Sequence, residues 1–143
     1  MCIRDRFGFD PKVAFVSHST FGQPITSRTK HIRKAVDILK EKKVDFEFDG
    51  DMQPDVAFNK EYQDLYPFSK IVGNANILIM PGQHSAAISY KMMKTLGDTK
   101  VIGPLLIGLG LPIEIAPLRS STSELINLAS IAAYSADVIE YKK

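Results

Sequence analysis

Cysteine is nearly missing from this sequence. The single one, Cys2, excludes a disulfide within the chain, and nothing that opens the chain reads as an export signal, so a reducing cytoplasm is the expected location. Strong charge of either sign is lacking too. The net charge is +2, and the bases sit among acids, as at Lys40, Glu41, Lys42, Lys43 and Asp45, so no basic stripe for nucleic acid emerges. Long apolar runs are also scarce. Those at 101–115 and 125–133 are broken by Gly, Pro or polar residues before reaching the roughly 20 residues of a bilayer span, and no membrane partner is expected. Metal-ligand spacings are wanting as well. His31 and His84 lie on separate segments with no partner at i+4, and one local acidic pair, Asp49 and Asp51, offers too few converging carboxylates for a divalent ion. Turn and capping work suits that pair better.

What the chain does hold is enough apolar side chain for a core: 45% of 143 residues, at a mean hydropathy of −0.04. Residues 1–6 (MCIRDR) show no periodicity and do not join the strand that follows. They read as a non-native leader, leaving 7–143 as the domain and implying a coding sequence that extends upstream.

Residues 12–18 (KVAFVSH) form a short apolar run ending in Ser-rich turn residues, the pattern of a strand buried on both faces. Ser27 is placed to cap a helix through Lys42, with Ile32, Val36 and Leu39 on one face. A second strand is expected at 44–48, with Asp49 and Gly50 opening a loop, and one or two short helices at 54–66. Residues 76–80 read as the clearest strand and 85–96 as the clearest helix, closed by Gly97. Further strands are expected at 101–107 and 112–115. A final helix spans 121–134, with Ser121 and Glu124 at capping-box spacing.

This alternation predicts an α/β fold, a mostly parallel sheet with helices on both faces. Ligands of such sheets bind beyond the strand carboxyl ends, which selects the segments 17–23, 49–53, 81–85 and 116–121. Ser17, Ser19, Thr20 and Gly22, in S-H-S-T-F-G, could present hydroxyls and free N–H groups to a phosphate. The Lys of a Walker loop and a G-x-G-x-x-G turn are both missing, as is a G-x-S-x-G elbow beside His84, Ser85 and Ser89.

Three motifs, S-H-S-T-F-G at 17–22, D-G-D-M-Q-P-D at 49–55 and I-G-P-L-L-I-G-L at 102–109, resemble the phosphotransacetylase family over residues 11–136. D-G-D-M-Q, the Tyr90-Lys91 helix and the terminal N-L-A-S-I-A-A-Y are most similar to the version fused behind the catalytic part of bacterial malic enzymes. The resemblance implies an incomplete isocitrate/isopropylmalate-dehydrogenase-like phosphotransacetylase fold, and acyl transfer between coenzyme A and phosphate in active members. It also implies acetyl-CoA or a related CoA ester as effector, amino-terminal malic enzyme domains as partners, and a homo-oligomer. NADP and a divalent metal would belong to the catalytic part outside this chain, with no cofactor in the chain itself.

The active-site loop departs from that family. Active members carry a Ser-Arg pair and, opening the last helix, an Asp that serves as base. An ungapped alignment on residues 125–131 sets Pro117 and Leu118 at the Ser-Arg positions, Arg119 one residue late, and Glu124 at the Asp. A slip of one residue would restore Arg119, yet Pro117 still supplies no hydroxyl, and loss of one preorganised donor costs about 10²–10³ in rate. In a second loop Gly82, His84 and Ala87 replace an Asp and two Asn. The expectation is a domain that binds without catalysing, through Ser17, Ser19, Thr20, Gly22, Asp49, Gln53, Pro81, His84, Arg119, Ser120, Ser121 and Glu124. If the domain is active instead, as a phosphate acetyl- or butyryltransferase, Arg119 and Glu124 are the catalytic candidates.

Overall fold

In the computed structural model residues 7–140 are described, and the expected leader and Cys2 lie outside them. The order is β1 (Lys12–Val16), α1 (Ser27–Glu41), β2 (Glu47–Met52), α2 (Pro54–Phe58), α3 (Lys60–Gln63), β3 (Ile77–Ile79), α4 (Gln83–Leu96) and α5 (Thr122–Glu140). The chain divides into two compact units, Asp10–Tyr90 and a second built mainly from the segment that starts at Lys91. The first holds the sheet.

Its three strands lie in the order β2-β1-β3, all parallel, as alternating strands and helices require. Successive residues of β1 face opposite sides. Val13 packs with Val36 of α1 and Phe48, while Ala14 packs with Val56 and Ala57 of α2, Met52, Ile71 and Ala75. Both faces of the central strand are thus covered, and each fully buried aliphatic side chain contributes roughly 1.5–3 kcal/mol.

The pairing of β1 with β2 slips once. Phe15 lies opposite Gly50 and Val16 opposite Met52, so Asp51 is the extra residue of a β-bulge. The bulge turns Met52 onto the α2 side, although Phe48, four residues earlier, faces α1. Gly50 is required there: its φ is +151°, and a Cβ would come within 2.7 Å of the Phe15 backbone oxygen.

Several boundaries correct the sequence reading. Asp49 and Gly50 lie inside β2 rather than in a loop, because a bulge lets glycine and two aspartates stay in a ladder that their propensities disfavour. Thr26, not Ser27, caps α1; its side chain accepts from Thr29 N–H at 3.2 Å while Thr29 Oγ1 accepts from Thr26 N–H at 2.8 Å. The one or two short helices expected at 54–66 are two, as the reading allowed. Residues 101–107 and 112–115 form no strand. Pro104 and Pro112 lack an N–H, Gly103 and Gly108 take positive φ, and the Leu106 N–H is bonded by the Glu114 carboxylate at 3.0 Å. The last helix starts where expected but runs six residues further, to Glu140. No helix of the described residues is long and apolar enough to cross a membrane.

Candidate functional site

The parallel strands bring their carboxyl ends to one edge, where the loop after β1, the end of β2 and the turn after β3 meet. The first loop is fastened from within. Ser19 donates its hydroxyl to the Asp51 carboxylate, Gly22 N–H lies 3.4 Å from the same oxygen, and Phe21 N–H donates to the Asp51 carbonyl at 2.6 Å. Thr20 Oγ1 accepts from Gln53 N–H at 3.2 Å, and Gln53 Nε2 donates to the His18 carbonyl at 3.1 Å. The Phe21 ring, carried by a residue of φ +49°, packs on Tyr66 and Phe68 at centroid distances of 5.3 and 4.8 Å.

Asp51 is wholly buried. Its second carboxylate oxygen has no hydrogen-bond donor among the described residues; the half-exposed Arg33 guanidinium lies nearest, with Nε at 3.8 Å. A Cβ on Gly22 would fall 2.5 Å from Arg33 Nη1, so a bare backbone at this turn is what admits the guanidinium.

These bonds sort the loop candidates. Ser19, Thr20 and Gly22 spend their polar groups inside the protein; Ser17 is buried too and its hydroxyl oxygen accepts from Ser19 N–H at 3.3 Å, though the residue borders an open cavity of about 830 Å³. Pro81, Gly82 and His84 line it from the β3–α4 turn, and Arg28 and His31 from α1. Asp49 does not reach it. Its carboxylate accepts from Gly50 N–H at 2.9 Å and Lys70 N–H at 2.8 Å, beside a separate cavity of about 340 Å³.

The second unit contains the other candidates. Residues 117–120 form a turn in which Ser120 donates both N–H and hydroxyl to the Pro117 carbonyl, at 3.0 and 2.8 Å. Ser121 caps α5: it donates N–H and hydroxyl to Glu124 Oε2 at 2.7 and 3.0 Å and accepts from Glu124 N–H at 3.3 Å. Lys94 holds the other Glu124 oxygen. The Lys94 hydrogen bond, followed by those from Ser121, pulls the Glu124 carboxyl down from 4.5 to about 2. Between Pro117, Ser120, Glu124 and Asn127 the free space is about 10 Å³, room for one water. Arg119 and Leu118 are exposed and do not line it.

Sequence reasoning missed four residues. Arg28 and His31 share one helix face three positions apart, a readable signal once α1 is placed beside the β1 loop. Asp51 and Arg33 depend on the bulge, which leaves no signature beyond a glycine between two acids.

A bulged parallel sheet with its loops gathered at the strand carboxyl ends defines an α/β domain. The sequence pattern of the family described as phosphate acetyl/butaryl transferase matches residues 3–133. The chain belongs to that family. It is 50% identical over 131 residues to the NADP-dependent malic enzyme of Rhizobium meliloti (strain 1021), covering 92% of this chain and 17% of that protein. It is 34% identical to the phosphate acetyltransferase of Bacillus subtilis (strain 168), over 91% of this chain and 41% of that one. Among solved structures, a phosphotransacetylase from Streptococcus pyogenes superposes with a TM-score of 0.84 at 34% identity, over 96% of this chain and 41% of that chain. The chain thus spans under a fifth of the malic enzyme and about two fifths of the transferases.

Proposed function

We propose that this chain is the carboxyl-terminal part of an NADP-dependent malic enzyme, acting as a sensor of acetyl-CoA or a related CoA ester without transferase activity of its own. Oxidative decarboxylation of malate to pyruvate, with its NADP and divalent metal, belongs to amino-terminal domains outside this chain. Among the described residues no group of His, Cys, Asp or Glu could hold a metal ion, and none is assigned to that chemistry. The parent is a cytoplasmic homo-oligomer in this reading, and the effector biases it through a coupling free energy of about 1–3 kcal/mol.

The observation that carries the reading is the state of Glu124. A base that takes the proton of a thiol, whose own pKa is about 8.5, needs a basic and accessible carboxylate. Glu124 is clamped by Lys94 and Ser121 and pulled down to about 2, which suits a helix cap and makes a weak base. Pro117 and Leu118 add neither a hydroxyl nor a guanidinium to the adjoining turn.

Two assays on the full-length parent test this. Acetyl-CoA is expected to inhibit malate decarboxylation and to lose that effect when the domain is deleted; inhibition unchanged by the deletion rules the sensor out. Arsenolysis of acetyl-CoA is expected to be undetectable. Turnover that Arg119→Ala abolishes would instead establish a working phosphate acetyl- or butyryltransferase.

A further inference from the structure

Asp51 divides its carboxylate between two neighbours. Oδ2 serves the loop after β1, taking the Ser19 hydroxyl and lying 3.4 Å from Gly22 N–H, while Oδ1 has no hydrogen-bond donor among the described residues. The side chain is wholly buried, so bulk solvent does not reach it. The cation beside Oδ1 is Arg33 of α1, with Nε at 3.8 Å, near enough to attract the charge and about 1 Å too far to donate to it. The same guanidinium lies over Gly22, where a Cβ would stand 2.5 Å from Nη1. It thus spans the seam between loop and bulge, with the carboxylate on one side and the glycine on the other.

We propose that Arg33 is a latch on this seam. In the closed position Nε donates to Asp51 Oδ1 and the guanidinium covers Gly22, which holds the loop that carries Ser17 and His18. In the open position the guanidinium turns to solvent, and the seam keeps only the Ser19 bond and the backbone N–H groups of Phe21 and Gly22. Each position has a physical basis. A buried carboxylate with one unsatisfied oxygen is costly, which draws the cation inward. Arg33 is 49% exposed and borders the separate 340 Å³ cavity, so hydration draws it outward. Its neighbour at i+4, Asp37, is already held by Lys40 at 2.9 Å, so α1 itself offers no vacant counter-ion there. The latch sets how firmly one wall of the 830 Å³ cavity is fixed, whatever that cavity binds, and it does not rest on the sensor reading.

Amide hydrogen exchange on the full chain tests it. Phe21 N–H donates to the Asp51 carbonyl at 2.6 Å and Gly22 N–H faces Oδ2, so these two amides report on the seam. Ala75 N–H, bonded to the Ala57 carbonyl at 2.8 Å, reports on the packing under α2. Arg33→Met is expected to speed exchange at Phe21 and Gly22 about tenfold and to leave Ala75 unchanged. Salt should act on the wild type in the same direction. Raising ionic strength from about 0.01 to about 1 M shortens the screening length from about 30 to about 3 Å, below the Arg33–Asp51 separation, and Arg33→Met should not respond. In an Asp51→Asn background, which keeps an acceptor for Ser19 and loses the charge, Arg33→Met should add nothing further.

Unchanged exchange in Arg33→Met overturns the latch. Equal acceleration at Ala75 also overturns it, because Arg33 would then be a general stabiliser, and so does a salt response that survives Arg33→Met. The salt arm needs no substitution, so the wild type alone can refute the proposal: a seam indifferent to ionic strength has no such latch.

Discussion

Ser19 donates its hydroxyl to Asp51 across 32 positions of sequence, and neither side chain touches solvent. The bond fastens the loop after β1 to the bulge of β2, so the wall of the cavity that holds Ser17 and His18 depends on it. Ser19→Ala leaves a buried carboxylate short of a donor, and Asp51→Ala leaves Ser19 and Gly22 N–H short of an acceptor. Each should lower stability by about 1–3 kcal/mol. The double variant should miss the sum of the two by about 0.5–3 kcal/mol. Urea unfolding checks both, and strictly additive losses would mean that the pair does not interact.

Gly50→Ala tests the bulge. The new Cβ would meet the Phe15 backbone at 2.7 Å in a conformation that L side chains rarely adopt. A loss of about 1–3 kcal/mol is expected, with faster amide exchange at Ser17, whose N–H donates to the Met52 carbonyl. A neutral result in thermal unfolding would show that β2 runs without the slip.

Glu124 should titrate far below an ordinary glutamate. Its carboxyl lies at about 2 in the folded chain against 4.5 ordinarily, so the unfolded state binds more protons between those values. The stabilisation is therefore fully present above pH 4.5 and is lost as pH falls toward 2. Carboxyl-carbon NMR titration reads this directly. Lys94→Met, which removes the largest cause, should move the midpoint upward, and an unmoved midpoint would transfer the effect to Ser121 alone.

Thr26→Ala should cost about 0.5–2 kcal/mol, because the side-chain half of the reciprocal cap on α1, in which Thr26 Oγ1 accepts from Thr29 N–H, disappears. Ser27→Ala should leave stability unchanged. Unfolding midpoints of the two variants decide between the caps.

The strands and helices of the first unit were legible because 12–18 and 76–80 are short apolar runs and Ile32, Val36 and Leu39 recur at the helical period; in the second unit Ser121 and Glu124 write a capping box into the sequence. Thr29 hid the cap of α1, since a short hydroxyl at the third position is not the expected Glu or Gln. Residues 101–115 misled for the opposite reason: Val, Ile and Leu suggested strands, while Pro104, Pro112 and the positive-φ glycines removed the ladder. At the candidate site, Ser17 and His84 were readable from strand ends, but their partners Arg28 and His31 enter from a helix face that only folding brings alongside. That Ser19 and Thr20 bond inward was not readable, because a hydroxyl bonded inward and one presented outward have the same letter.

The slip at Asp51 leaves β2 one rung out of step with β1. Deleting that residue would restore perfect alternation and leave Met52 opposite Val16 on the Ala57 side, yet it would remove the carboxylate that holds Ser19 and the carbonyl that takes the Phe21 N–H. A shortened strand of this kind would keep its core and set the first loop adrift, so the surplus residue belongs to the edge of the sheet and not to its packing.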